Sequence, residues 1–113
     1  MLARAHRMRR SQDFRSTIRG GAVARCPLAV VYAATGSTSD RLVGFVVSKA
    51  VGNSVVRHTV TRRLRAVMAG HLATVPGGTN LVVRALPPAA AATYGELDGQ
   101  VGRTLTRVLE KAR

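Results

Sequence analysis

The strongest constraint on this chain lies between Asn53 and His71, where Val56, Val60, Leu64 and Val67 recur at intervals of three or four residues. At about 100° per residue those four side chains fall on one stripe of a helix, and His58, Arg62, Arg65 and Ala69 fall opposite. Asn53 suits the N-cap, because its side-chain oxygen can accept from a backbone N–H of the first turn. Such a helix must lay its apolar stripe on another element, a sheet for preference, and leave its far side in water. That far side is cationic: the stretch VGNSVVRHTVTRRLRA holds Arg57, His58, Arg62, Arg63 and Arg65 without a carboxylate. No acidic residue occurs between Arg41 and Ala92, so the neutralising charge has to come from outside the chain.

The whole sequence points the same way. Its 113 residues fit a single domain, 1–113, and carry 18 basic against 5 acidic residues, a formal net charge of +13. That excess opposes compaction unless a polyanion offsets it, which nucleic acid or an anionic membrane surface could do. A genome-wide drift towards arginine would explain the choice of Arg over Lys but not the missing acids. Arginine's forked guanidinium binds phosphate bidentately and stacks on bases, so its dominance suits RNA. Cys26 is the only cysteine, which rules out an intrachain disulfide and a Cys-rich zinc site and fits a reducing, cytoplasmic setting. Residues 1–10 are basic, lack the apolar core of a secretory signal, and are expected to be flexible. No apolar run approaches the roughly 20 residues that span a bilayer, and no membrane partner or obligatory protein oligomer is expected.

Around the basic helix the order reads α, β, β, α, β, α, with a further short strand near Ala24 or Ser48. Ser11 and Asp13 start a helix that carries Phe14 and Ile18 on one face, and Gly20 and Gly21 end it. Leu28 to Ala34 and Leu42 to Val47 read as strands, and TGSTSD between them predicts an antiparallel hairpin. Asn80 to Leu86 is another strand, closed by Pro87 and Pro88. Thr93 and Glu96 have capping-box spacing before a last helix with Leu97, Val101, Leu105 and Leu109 on its apolar face.

Chemistry of its own is sparse. His6, His58 and His71 are far apart with few carboxylates to partner them, and Asp13, Asp40, Glu96, Asp98 and Glu110 form no evident metal or acid–base cluster. No catalytic residue is expected. Ser48 beside Lys49 would face opposite ways on a strand, which argues against a Ser–Lys nucleophile and leaves Lys49 as a phosphate contact. Gly52 belongs to no phosphate-loop motif. Phe14 and Tyr32 fit core packing, or a shallow groove in which aromatic faces stack on single-stranded bases.

The stretch SKAVGNSVVRHTVTRRLR (Ser48 to Arg65) resembles the arginine-rich signature of the bacterial ribonuclease P protein subunit, S-K-x-x-G-N-A-V-x-R-N-x-x-K-R-x-x-R. Ser48, Lys49, Gly52, Asn53, Val55, Arg57, Arg62 and Arg65 match; Ser54, His58 and Thr61 depart. RMRRSQDF (Arg7 to Phe14), LAVVY and NLVVRALPPA resemble further parts of that family, although Ile18 stands where a second Phe is common. The resemblance implies an α/β (α+β) two-layer sandwich similar to a ribosomal-protein second domain, with a mostly antiparallel central sheet, about three helices and a left-handed βαβ crossover, against the usual hand. It also implies that a catalytic RNA, using Mg2+ held mainly by that RNA, removes the 5′ leader of precursor tRNA while the protein binds both RNAs. By position, Lys49, Asn53, Arg57, His58, Arg62, Arg63 and Arg65 would contact the catalytic RNA. Phe14, Ile18, Tyr32 and Lys49 would line a leader groove, and Arg7, Arg9 and Arg10 would supply a basic N-terminus.

Three other functions compete on the residues alone. A ribosomal or other structured-RNA binding protein needs only the basic helix. A DNA-binding module would put that helix in a major groove, but no short helix packs just before it. A stand-alone nuclease would need the catalytic groups that the chain lacks.

Overall fold

The computed structural model describes residues 2–36 and 38–112. Helix α1 (Ser11–Gly20) is followed by strands β1 (Ala22–Arg25), β2 (Ala29–Thr35) and β3 (Leu42–Val46), helix α2 (Ser54–His71), strand β4 (Thr79–Ala85) and helix α3 (Tyr94–Lys111). Short 3₁₀ turns sit at Arg4–His6, Leu72–Thr74 and Pro87–Ala91. The extra strand expected near Ala24 is β1; Ser48 lies in a turn instead.

The sheet runs β1-β2-β4-β3, antiparallel except for the parallel β3–β4 pair. The predicted β2–β3 hairpin therefore does not form: β4 is inserted between the two strands. Leu81, Val82 and Val83 of β4 are all fully buried, and a strand that apolar is best shielded with a neighbour on each side and cover on both faces. The loop after β2 is bonded to the entry of β4 rather than closed on itself, since Gly36 N–H donates to Gly78 O (2.6 Å) and Gly78 N–H to Ser39 O (2.9 Å). Gly78 has φ +82°, in the left-handed region where a side chain would be strained.

Alternation divides the sheet into two faces. Ala29, Val31, Ala33, Val43, Leu81, Val83 and Ala85 join Val60, Leu64, Val67, Met68, Leu97, Val101, Leu105 and Val108 in the main core, so α2 and α3 lie side by side on this face. Helix α1 crosses the other face. Burial of Val60, Leu64 and Val67 follows the predicted stripe; Ala69, placed opposite it, also packs against the core. Thr93 and Glu96 form the capping box of α3 in full.

Over the described residues 2–10 the basic N-terminal segment is docked against β3. Leu2 and Met8 are buried, Met8 N–H donates to Val43 O (2.9 Å) and Arg7 bridges to Val43 in parallel. The two apolar side chains among the arginines provide the anchors, and the segment shields the otherwise open edge of β3.

Candidate nucleic-acid interface

Helix α2 presents its cations by a sharp entry and a firm cap. Asn53 Oδ1 accepts from Val56 N–H (3.0 Å). A Cβ on Gly52 would lie 2.9 Å from Val56 Cβ, so only glycine lets the chain turn this tightly onto the helix. Lys49 is exposed in the preceding turn, which Ser48 closes by accepting from Ala50 N–H (3.3 Å). His58 and Arg62 are exposed. Arg57 and Arg65 are half-buried, and their Nε atoms are buried without a hydrogen-bond partner among the described residues. Arg63 differs from its neighbours: it is half-buried and Nη1 donates to Ala92 O (3.2 Å), tying α2 to the approach to α3.

The opposite face of the sheet carries Phe14 and Tyr32. Register aligns Val23, Tyr32, Val82 and Gly44 in one row and Arg25, Val30, Arg84 and Val46 in the next. The Phe14 ring rests where a Cβ on Gly44 would collide with it, beside Met8 Sδ. Phe14 and Tyr32 are half-buried, Ile18 and Val23 exposed, and Arg25 and Arg84 exposed. The result is a shallow trough with aromatic and aliphatic walls and two arginines across its floor. Sequence reasoning missed Arg84 and Arg25. Their signal was alternation: Arg84 shares a face with Val82 in an otherwise buried central strand, and an arginine there requires that face to be open.

Arg7, Arg9 and Arg10 come together with Arg4, Asp13 and Leu42 around a depression of about 460 Å³. Val55 was also missed as a surface feature: it is 75% exposed beside the helix cations, an apolar contact on a charged face.

These charges have no internal counterparts. Among the described residues no arginine or lysine meets a carboxylate, and the one basic side chain that does is His71, whose Nε2 is hydrogen-bonded to Asp98 Oδ1 (2.9 Å). The Glu96 carboxyl is held below the ordinary glutamate value by hydrogen bonds from the Thr93 backbone and then its side chain, so this acid serves its helix. No three His, Cys, Asp or Glu side chains gather where they could hold a metal among the described residues. The donor set of the described residues does not fit a protein-held Mg2+.

A family model described as Ribonuclease P matches residues 2–109. The chain belongs to the ribonuclease P protein family. It is 48% identical to the ribonuclease P protein component of Beutenbergia cavernae, covering 100% of this chain and 96% of the relative. It is 47% identical to that of a Nocardioides species, covering 96% and 95%. Its fold is similar to the RNase P protein of Staphylococcus aureus, with TM-score 0.81 at 24% identity over 94% of this chain and 99% of the other. The Thermotoga maritima RNase P protein gives TM-score 0.74 at 19% identity, over 95% and 97%. As a ribonuclease P protein component the chain is a subunit of an endoribonuclease ribonucleoprotein of tRNA processing, in which RNA performs the catalysis, and its partner is RNA. No helix among the described residues is long and apolar enough to cross a membrane.

Proposed function

We propose that the α2 face binds the catalytic RNA and that the α1-side trough binds the 5′ leader of precursor tRNA. Lys49, Asn53, Arg57, His58, Arg62 and Arg65 contact the catalytic RNA, with Arg63 adding charge from the flank. Phe14, Ile18, Tyr32, Arg84 and Lys49 contact the leader, and Arg7, Arg9 and Arg10 extend the cationic field. Magnesium is held by the RNA, and the complex works in the cytoplasm. The observation that carries this reading is the unneutralised cationic face of α2 on one side of the sheet with an aromatic, arginine-floored trough on the other.

The physical task is to bring two polyanions together. Each phosphate neutralised by a cation releases condensed counterions, and stacking adds about 1–3 kcal/mol per base. Mature tRNA lacks the leader, loses those trough contacts and binds more weakly than precursor. The test is precursor-tRNA cleavage at low magnesium with the cognate RNA alone, the protein alone, and both. Cleavage at the mature 5′ end only in the mixture is expected. A protein that adds nothing to the RNA would leave a structured-RNA binder without a role in cleavage.

A further inference from the structure

The largest concavity described, about 650 Å³, lies between the β1–β2 turn and α3 and shares only Arg25 with the surfaces above. Arg25, Arg103 and Arg107 line it with Cys26, Pro27 and Gln100, and no carboxylate does. Arg107 is fixed in advance, Nη2 donating to Arg25 O (2.7 Å) and Thr104 Oγ1 (3.3 Å). Arg103 lies one helical turn away and is exposed. Gln100 Oε1 is buried without a hydrogen-bond partner among the described residues.

We propose that this groove is a second site for the catalytic RNA, holding one unstacked nucleotide with its flanking phosphates on Arg103 and Arg107. This rests on the reading that α2 binds that RNA. Charge selects a polyanion, since two guanidiniums, Arg103 and Arg107, without a carboxylate repel basic partners and attract phosphate. Pro27, Cys26 and the threonine methyls give a base an apolar seat, and its exocyclic amino group supplies the donor that Gln100 Oε1 lacks. Placement favours the catalytic RNA over the leader: α3 shares its layer with α2, whereas the leader trough opens on the other face of the sheet. The molecule measures 34 × 25 × 25 Å, so one folded RNA can touch both helices.

The test measures affinity of the full chain for its cognate ribonuclease P RNA across salt concentrations, with Arg103→Ala, the Arg103→Ala/Arg107→Ala double variant and Arg62→Ala. Each lost single-strand phosphate contact lowers the slope of log affinity against log salt by about 0.7, so the double variant loses about 1.4. Arg103→Ala removes no hydrogen bond among the described residues, so its effect is free of any folding defect that Arg107→Ala introduces. Cys26, the sole cysteine, reports occupancy directly: its alkylation by iodoacetamide slows when RNA binds. A wild-type slope in both groove variants, with Arg62→Ala weakened, overturns the groove alone. No change in any variant overturns the α2 reading and the groove with it. Cys26 protection with an unchanged slope means that the RNA shades Cys26 without phosphate contacts on Arg103 and Arg107, and also overturns the assignment.

Discussion

Arg62 and Arg63 are adjacent in sequence, yet alanine should separate them cleanly. Arg62 is exposed and makes no hydrogen bond among the described residues, so its loss should change stability by no more than about 0.5 kcal/mol. Its cost falls on RNA binding: one phosphate contact is worth about 0.7–0.9 in the salt slope. Carried from 1 M to 0.15 M salt, that slope amounts to roughly a four- to sixfold loss of affinity. Arg63 instead ties α2 to Ala92 O, and losing such a bond costs about 1 kcal/mol, or about 4 °C in melting temperature for a domain of this size. Its slope should change less than that of Arg62→Ala. Anisotropy titrations with the cognate RNA at four salt concentrations, beside thermal melts, measure both quantities. Arg63→Ala flattening the salt slope as much as Arg62→Ala, with an unchanged melting temperature, would refute this division of roles.

Gly44→Ala should push Phe14 from its seat beside Met8, cost about 1–3 kcal/mol of stability and lower holoenzyme affinity for leader-bearing precursor more than for mature tRNA; equal losses would make Phe14 a packing residue only. Glu96→Gln should lower the melting temperature at neutral pH, because the folded-state pKa of Glu96 is depressed. That stabilisation is present above the unfolded value and lost as pH falls through the folded one, so wild type and variant should converge in acid. Gly99→Ala should raise stability by about 0.5–1 kcal/mol in denaturant unfolding, since the added Cβ meets nothing closer than Arg103 Nη1 at 3.5 Å.

Periodic features were legible in the sequence. The stripe of α2, its Asn53 cap and the capping box of α3 are local patterns that packing reinforces. The strand order was not, because loop composition between β2 and β3 reports a reversal without saying whether another strand enters the gap. Arg7 and Arg9 made residues 1–10 look like a solvated tail, and the burial of Leu2 and Met8 depends on the β3 edge, which no local pattern names. The cations of α2 were legible as a set, but the Arg63 bond to Ala92 joins residues 29 apart and is visible only in three dimensions. The trough was half legible: Phe14 and Tyr32 stood out as aromatic, whereas Arg84 acquires its place only once β4 is central.

That central position has a consequence for how the two RNA surfaces share charge. The molecule is 25 Å across its shorter axes, about three Debye lengths at physiological salt, where screening acts over roughly 8 Å. Cations on α2 therefore do little for a strand lying in the trough, and each surface needs its own. Lys49 is exposed in the turn between β3 and α2, and Arg84 serves the trough. Arg62→Ala and Arg84→Ala should thus be independent: the first weakens assembly with the catalytic RNA, the second weakens leader-bearing precursor at the assembled holoenzyme. Measured as precursor cleavage at subsaturating protein and substrate, the double variant should lose the sum of the single losses within about 0.5 kcal/mol, as distant sites do. A double variant no worse than Arg62→Ala would mean that Arg84 never meets the substrate, and a loss well beyond the sum would mean that one RNA strand runs over both faces.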